Sequence, residues 1–499
     1  MKNYLVVSAC VLFVSCSIFK NKNSAKLEVL PSEVALKYAN TITADDLKTH
    51  LTIIASDEYE GRETAMPGQK KAAAYIENQF ISNGLLPGLG EKGYQQSFPV
   101  DLKDPSKVYL AINDKDLTFL EDFYYLGNIS DTSYNDREIV YVGYGVDIEG
   151  RSDYNGIDVK DKIVLVLEGL PETETDLSWG NWRNKVHAAT KHGACAMITV
   201  QKDFTEKVEQ IRVFIENPRM QLHSKGNQQY KKTIPNVYLS EEVYNLYKNE
   251  IEGGNVKLSA DLNIKTTQLL HSENVLGFIE GSDLKEEIVV ITAHYDHIGY
   301  DNGEICNGAD DDGSGTVTLL ELSQAFALAK KEGNGPRRSI LFMTVSGEEK
   351  GLLGSDYYSQ NPVYPLVNTV VDLNIDMIGR KDSLHNDDNY VYLIGADRIS
   401  KDLHDISEKV NTSLINMKLD YTYNKENDPN HFYYRSDHYN FAKHNIPVIF
   451  YFSGVHEDYH KPTDDVEKIL FPKLERTAKL IFFTAWEIAN RTQRLRKNA

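Results

Sequence analysis

The chain has 499 residues, of which 41% are hydrophobic and 25% are charged, the composition of a folded protein. This length exceeds one ordinary domain and predicts two or three. Lys and Arg number 54 against 73 Asp and Glu, so the formal net charge is −19. Such an acidic balance argues against nucleic acid or anionic lipid as the main partner.

The N-terminus has the pattern of an export signal. Lys2 precedes the apolar residues 4–14, and small residues flank Cys16. This pattern predicts a signal peptide over residues 1–16, because the apolar run is too short to span a membrane. The string Phe-Val-Ser-Cys at 13–16 resembles the lipobox of bacterial lipoproteins, with Phe in place of the usual Leu. Cys10 fits the box better by letter but leaves too short an apolar core before it.

The lipobox resemblance implies a mature protein that begins at a lipidated Cys16, its only expected contact with a membrane. The alternative is a plain signal peptide with an incidental cysteine. In either case we expect export, to the cell envelope or periplasm if the chain is anchored and to the medium otherwise. Cys195 and Cys306 are too few for a disulfide framework, and we expect both to be free thiols.

In the first half of the chain, the sequence pattern changes at about residue 103 from helical spacing to short β-rich runs. Residues 17–102 are assigned to the first part of a main domain, with Thr43 as a helix N-cap and helical spacing of apolar residues over 68–80. From 103 to 265, short β-rich runs surround one helical stretch at 182–192. The runs are 138–144, 162–167, 196–200 and 236–239. They carry no paired catalytic residues, so 103–265 is interpreted as an inserted, non-catalytic module.

Buried strands alternate with helices over residues 266–499, which are assigned to the main domain. The run EIVVITA at 287–293 is apolar throughout, as in a strand that is covered on both faces. An amphipathic helix at 314–330 follows. Further strands are predicted at 339–346, 370–377, 390–394 and 446–452, and further helices at 398–410, 436–444 and 466–491. The alternation predicts an α/β fold with a mostly parallel central sheet and helices on both faces.

Candidate metal ligands follow the carboxyl ends of these strands, where open α/β sheets bind their ligands. The candidates are His294, Asp296, Asp311, Glu348, Glu349, Asp376, Tyr459 and His460. Taken singly, each is more often a solvated side chain or a helix cap than a ligand. Together they offer what two adjacent zinc ions need, a bridging carboxylate and one histidine and one carboxylate for each ion.

The sequence resembles the di-zinc metallopeptidase family that includes bacterial leucyl aminopeptidases and glutamate carboxypeptidases. The matching segments keep the family's order, and the resemblance runs from about residue 43 to the C-terminus. They are SDEYEGRETAMPGQKKAAAYI (56–76), YQQSFP (94–99), ITAHYDHIG (291–299), NGADDDGSGT (307–316), SGEEKGLLGS (346–355), NIDMIGR (374–380) and DYHKPTDD (458–465).

The segment 103–265 resembles a protease-associated domain. The matching strings are YVGYGV (141–146), DVKDKIVLVLEG (158–169) and HAATKHGACAMITV (187–200). In relatives this domain borders or covers the active-site cleft and is not itself catalytic. The resemblance therefore implies a zinc exopeptidase fold with an inserted protease-associated domain.

The family resemblance implies two Zn²⁺ ions per chain. One ion is held by His294 and Asp376, and the other by Glu349 and His460. The bridging carboxylate is Asp311, because it lies three residues before the serine of its loop. The resemblance also implies a cis peptide after this aspartate.

The same resemblance implies the catalytic roles. Glu348 is the general base that takes a proton from the attacking water, and Asp296 fixes the tautomer of His294. Tyr459 donates a hydrogen bond to the developing oxyanion. The implied activity is the hydrolysis of peptides, and an aminopeptidase is favoured because the surplus negative charge of the site suits a free α-amine.

Three alternatives follow from the same residues. A carboxypeptidase of the same family needs cationic side chains for the terminal carboxylate, and Arg380 and Arg435 lie near the motifs. A glutaminyl cyclase holds one zinc ion, which the full two-metal set at His294 and Asp376 disfavours. A metal-free binding domain with the same fold is disfavoured by the intact ligands and by Glu348.

Overall fold

The structure is a computed structural model that describes residues 33–125, 132–172, 176–216, 218–223, 234–253, 258–264 and 268–498. The predicted export signal, with Cys10 and Cys16, lies outside the described residues. Among the residues that are described, no helix is both long enough and apolar enough to cross a bilayer. Cys195 and Cys306 are free, as predicted.

The secondary structure follows the predicted alternation in the second half of the chain. The α-helices are α1 (Glu33–Ala39), α2 (Ala44–Ile54), α3 (Pro67–Asn83), α4 (Trp182–Lys191), α5 (Phe204–Glu216), α6 (Glu241–Gly253), α7 (Gly315–Lys331), α8 (Leu353–Gln360), α9 (Lys401–Val410), α10 (His438–Ala442) and α11 (Phe471–Asn490).

The strands divide into those before and those after residue 268. The first group is β1 (Leu86–Pro87), β2 (Gln95–Lys103), β3 (Tyr109–Ile112), β4 (Lys115–Asp116), β5 (Phe123–Tyr125), β6 (Thr132–Tyr141), β7 (Asp147–Ile148), β8 (Arg151–Ser152), β9 (Ile163–Leu167), β10 (Ala196–Gln201), β11 (Arg219–Leu222), β12 (Asn236–Ser240) and β13 (Leu258–Ile264). The second is β14 (Gln268–Ile279), β15 (Leu284–His294), β16 (Gly299–Asp301), β17 (Glu304–Cys306), β18 (Arg338–Val345), β19 (Thr369–Ile375), β20 (Tyr390–Ile394), β21 (Lys418–Asp420) and β22 (Val448–Phe452).

Local chemistry explains where two early helices begin and end. The Thr43 hydroxyl accepts a hydrogen bond from the Asp46 amide at 3.1 Å, so it caps α2 as predicted. Pro67 begins α3, where its missing N–H costs nothing. Gly84 ends that helix in the left-handed conformation, with φ of 79°, which a residue with a side chain adopts less readily.

The large sheet has the strand order β11-β2-β14-β18-β15-β19-β22-β20-β21, and β1 pairs with β14. The four central strands, β18, β15, β19 and β22, are parallel, while β11, β2 and β14 add antiparallel strands on one side. On the other side β20 is antiparallel to β22, and β21 is parallel to β20. Four strand pairs of this sheet are parallel and five are antiparallel, so the predicted parallel arrangement is confined to the centre and to the edge pair of β20 and β21.

Helices cover both faces of this sheet, which confirms the predicted α/β class. Side chains of β15 alternate between the faces, since successive residues of a strand point in opposite directions. Val289 and Ile291 join the core beneath α1, α2, α3, α7, α9 and α11. Ile288 and Val290 join the opposite core with α8 and α10. Burial on both faces explains why the central strands are apolar along most of their length.

A second sheet lies within the segment that was predicted to be an insert. Its strand order is β4-β3-β13-β6-β9-β10-β12-β5, with α4, α5 and α6 among its connections. The chain leaves the large sheet after β2 and returns at β14, and Gln268 lies opposite Leu102 in their antiparallel ladder. Strand β11, inside the predicted range 103–265, pairs instead with β2 of the large sheet. The segment therefore also supplies one edge strand of the main sheet.

Candidate metal centre

The candidate ligands meet at one edge of the large sheet. His294 is the last residue of β15, Glu348 and Glu349 follow β18, and Asp376 follows β19. His460 lies in the loop after β22. Because these strands are adjacent and parallel, their carboxyl ends point to the same edge.

The first group of candidate ligand atoms surrounds Nε2 of His294. Its Nε2 lies 3.3 Å from Asp311 Oδ1 and 3.6 Å from Asp376 Oδ1. All three residues are buried, and their ligand atoms lie within 4.8 Å of one another. One imidazole and two carboxylates thus surround one point.

The second group shares Asp311 with the first. His460 Nε2 lies 3.1 Å from Asp311 Oδ2 and 3.1 Å from Glu349 Oε2. Asp311 therefore turns Oδ1 to one group and Oδ2 to the other. This is the geometry that a bridging carboxylate requires.

Only one of the three consecutive aspartates in the loop before α7 faces the centre. The Asp312 carboxylate accepts hydrogen bonds from the amides of His294, Gly315 and Met377. The Asp310 carboxylate accepts from Gly379. The peptide between Asp311 and Asp312 is cis, as the family resemblance implies.

The donor set fits divalent metal ions such as zinc. His294 Nε2, Asp311 Oδ2 and His460 Nε2 are buried and have no hydrogen-bond partner among the described residues. Zinc takes imidazole nitrogen and carboxylate oxygen as ligands. Burial acts against a charged imidazole at His294, but the carboxylates of Glu348 and Asp376 outweigh it and raise the pKa of His294 well above its usual range. The centre thus carries an excess of negative charge that cations would neutralise.

The two adjacent glutamates face different surroundings. Glu348 lines a cavity together with His294, Asp311 and Asp376. Burial raises the pKa of Glu348 well above its usual range. The Glu349 carboxylate contacts the imidazoles of His297 and His460 instead, and these contacts lower its pKa despite its burial. One glutamate is therefore placed beside the reaction space and the other among the candidate ligands.

Asp296 contacts His294 in a different way from the one expected. Its main-chain oxygen accepts the hydrogen bond from His294 Nδ1 at 3.1 Å, while the nearer carboxylate oxygen lies 3.8 Å from that nitrogen. The carboxylate itself accepts from the Thr64 hydroxyl at 2.6 Å and from the Glu348 amide at 3.3 Å. The carbonyl thus fixes the tautomer that leaves Nε2 of His294 free, and the carboxylate fixes the start of the loop that carries Glu348.

Tyr459 lines the same cavity. Its ring stacks on that of His460, with ring centres 3.8 Å apart. Burial raises the pKa of the Tyr459 hydroxyl, which therefore stays protonated and can donate a hydrogen bond. Tyr459 thus borders the cavity that Glu348 also lines.

Two residues of the site escaped the sequence analysis. His297 donates from Nδ1 to Glu349 Oε1 at 2.8 Å, and its Nδ1, Asp311 and Glu349 form a further group of possible ligands. Arg62 is fully buried and donates to the main-chain oxygens of residues 54, 295, 307 and 308. Both lie inside segments that carry the family resemblance, HYDH and EGRET, but neither segment reveals which loop each side chain contacts.

The cavity beside the centre has an apolar wall. The apolar lining residues are Met377, Phe432, Phe450, Phe452 and Val455. The exposed Arg435 also lines it, and the arginine's guanidinium carbon lies 4.8 Å from the centre of the Phe432 ring. A second cavity shares Phe432, Arg435, Val455 and Tyr459 with the first, so the two are neighbours.

Comparisons with known proteins point to one family. Residues 274–485 match the sequence model of peptidase family M28. The chain is 34% identical over 212 residues to a probable leucine aminopeptidase of Arthroderma benhamiae, covering 41% of this chain and 55% of that protein. It is 24% identical over 269 residues to aminopeptidase YwaD of Bacillus subtilis, covering 50% of this chain and 52% of the relative. The chain thus spans about half the length of the curated relatives it matches.

A solved structure shares the fold over nearly the whole chain. The aminopeptidase from Aneurinibacillus sp. strain AM-1 superimposes with a TM-score of 0.52 at 21% identity, covering 93% of this chain and 98% of that one. This likeness shows the fold, which agrees with the α/β class predicted from the sequence. The segment that matches the model of peptidase family M28, residues 274–485, contains all of the candidate metal ligands.

Proposed function

We propose that the protein is a zinc-dependent aminopeptidase that binds two zinc ions per chain and removes N-terminal residues from peptides. The observation that carries this proposal is the position of Asp311, whose two carboxylate oxygens face two separate ligand groups. The names of the relatives, aminopeptidases of bacteria and fungi, support the same reaction.

In this proposal His294 and Asp376 hold one ion, Glu349 and His460 hold the other, and Asp311 is shared. Zinc ions bound in this way lower the pKa of water and stabilise negative charge on a carbonyl oxygen. A cation pair also keeps a neighbouring carboxylate ionised, because it offsets the burial that raises the carboxylate's pKa.

Glu348 is proposed as the general base. Its carboxylate lines the cavity and reaches to 4.0 Å from His294 Nε2, so it borders the space in which the scissile bond must lie. Glu348 accepts the proton of the attacking water and then delivers it to the leaving amine. Tyr459, on the cavity wall, is proposed to donate a hydrogen bond to the carbonyl oxygen as negative charge develops there.

A carboxypeptidase is the second candidate, and one residue favours it. Arg380 cannot hold a substrate carboxylate freely, because its Nη2 lies 2.9 Å from Asp458 Oδ2 and 3.4 Å from Glu457 Oε1. Arg435 forms no ion pair within the described part of the chain and lines both cavities. Its guanidinium is therefore available to a carboxylate. The aminopeptidase remains favoured, because the carboxylates at the centre suit a free α-amine.

Three substrates separate the two activities. We expect hydrolysis of leucine amide, which has a free amine and no carboxylate, and no hydrolysis of its N-acetylated form. An N-acetylated dipeptide with a free C-terminus should also remain intact. Cleavage of that dipeptide but not of leucine amide, lost in Arg435→Met, would establish the carboxypeptidase instead.

The remaining parts of the proposal concern the cyclase, the insert and the cell location. A glutaminyl cyclase would bind one ion and cyclise an N-terminal glutamine without hydrolysing leucine amide, so the same assay tests it.

The segment 103–265 is proposed to be a protease-associated domain that borders the cleft. The protein is proposed to be exported and anchored to the cell envelope through a lipid on Cys16, on the strength of the residues around that cysteine.

A further inference from the structure

We propose that His297 is a positioning residue for the metal centre: it holds one oxygen of Glu349 so that the other oxygen is presented to the ion shared with His460. Two distances carry the proposal. Glu349 Oε1 lies 2.8 Å from His297 Nδ1, while Glu349 Oε2 lies 3.1 Å from His460 Nε2. The two carboxylate oxygens thus have separate partners. The inference rests on the proposed two-zinc function.

The His297 ring is itself fixed from several sides. Its amide donates to the carbonyl of Arg62 at 3.2 Å. The ring packs against the backbone of Gly308, where an added Cβ would lie only 2.6 Å from the ring atoms Cγ and Cδ2. The Arg62 guanidinium holds that backbone in turn, donating to the Gly308 carbonyl at 2.9 Å and to the Tyr295 carbonyl at 2.8 Å. The ring is fully buried and has little room to rotate.

The chemistry of the contact favours a hydrogen bond over direct metal coordination by His297. An ionised carboxylate only accepts hydrogen bonds, so the Nδ1 atom that contacts Glu349 must carry a proton. A nitrogen that carries a proton has no lone pair for a metal ion. The other carboxylate near this nitrogen, Asp311 Oδ2, lies 3.7 Å away, beyond hydrogen-bond range. His297 therefore acts on the ion through Glu349.

This arrangement has a measurable consequence. Without the hydrogen bond from His297, the Glu349 carboxylate can rotate. Fixing its orientation on zinc binding then costs free energy, which weakens the binding of the ion proposed between Glu349 and His460. Outer partners of metal ligands typically contribute about 10–100-fold in metal affinity. Among the described residues, His294 and Asp376 form no hydrogen bond or ion pair with His297 or Glu349, so the affinity of the site that they would form should not change.

The test uses two variants of the full chain. His297→Phe keeps a ring of similar bulk but removes the donor, and His297→Asn places an amide donor near the position of Nδ1. Zinc affinities of both sites are measured by competition with a chromophoric chelator, and the visible absorption of the Co²⁺-substituted protein reports the coordination of each site. We expect His297→Phe to weaken one ion by about 10–100-fold and to change the Co²⁺ spectrum. His297→Asn should lose less than this about 10-fold minimum, because its amide can donate to the same oxygen of Glu349.

The outcomes separate the inference from the function on which it rests. If the wild type binds two ions and His297→Phe binds both with unchanged affinity, the positioning role is wrong and the two-zinc function stands. Equal weakening of both ions in both variants would also overturn it, since that pattern indicates a general packing role. A wild type that binds one ion contradicts the proposed function itself. If His297→Phe does not fold, His297→Asp replaces it, because aspartate matches asparagine in shape but lacks the donor.

Discussion

Replacing Glu348 with glutamine tests the proposed mechanism at one atom. The glutamine side chain has the same length and can form the same contacts in the cavity, but it cannot take a proton. The hydrogen bond between the residue 348 amide and Asp296 Oδ1 is formed by the main chain, so it survives the change. The loop should therefore keep its shape, and the loss should be confined to proton transfer.

The expected loss follows from the role of a general base. A positioned base contributes about 10²–10⁴-fold to the rate. At about 1.36 kcal/mol for each factor of ten, this loss corresponds to about 3–5 kcal/mol of transition-state stabilisation. It should appear in kcat, with a nearly unchanged KM and with both metal ions retained, because the Glu348 carboxylate does not stand among the proposed ligands.

Glu349→Gln is the matched control, since it makes the same chemical change one residue away. The Glu349 carboxylate contacts His297 and His460, so its neutralisation should release one ion, and excess zinc should restore part of the activity. The assay is the hydrolysis of leucine amide with elemental analysis of the same samples. If Glu348→Gln loses metal while Glu349→Gln keeps it, the two roles are reversed. If neither change lowers kcat, the general-base account is wrong.

Three further predictions concern other parts of the chain. Burial lowers the pKa of Lys473 to about 8. Between about pH 8 and 10.5 the Lys473 side chain is protonated in the unfolded chain but not in the folded protein. The free energy of unfolding of the wild type, relative to that of Lys473→Met, should therefore rise with pH in this range. Denaturant titrations at several pH values measure this difference. A flat difference would contradict this. Replacing residues 104–266 with Asn-Gly should join β2 to β14 as a hairpin. The shortened protein should retain both ions and cut a different set of peptides. If it folds but loses both ions, one of the proposed ligands is misplaced. Cys16→Ser should move the protein from the membrane fraction to the soluble fraction, and a wild type already soluble would contradict the lipid anchor.

Much of the main domain could be predicted because its strands are buried on both faces. Such a strand has an unbroken apolar sequence. For β20 (Tyr390–Ile394), the predicted first and last residues are those of the structure. The helix cap at Thr43 is likewise a local signal that depends on neighbouring residues only. The antiparallel strands β2, β14 and β11 were not predicted as a unit, because their pairing joins residues more than 100 positions apart.

The site shows the same division between local and distant information. The ligands could be proposed because they follow strand ends and fall in strings that resemble a family. The role of His297 could not, since it depends on how the chain turns after β15 and brings the ring to Glu349, 52 residues further along. Arg62 contacts the carbonyl of Tyr295, 233 residues away, and nothing in its own segment indicates that partner.

The number of zinc ions per chain decides whether Asp311 is shared by two metal sites. We predict about two tightly bound zinc ions per wild-type chain by elemental analysis after dialysis. Asp311→Ala should lose both ions, because its two oxygens face both ligand groups, whereas His294→Ala should mainly weaken one. A wild type that holds a single ion, or an Asp311→Ala variant that keeps two, would contradict a shared two-metal centre.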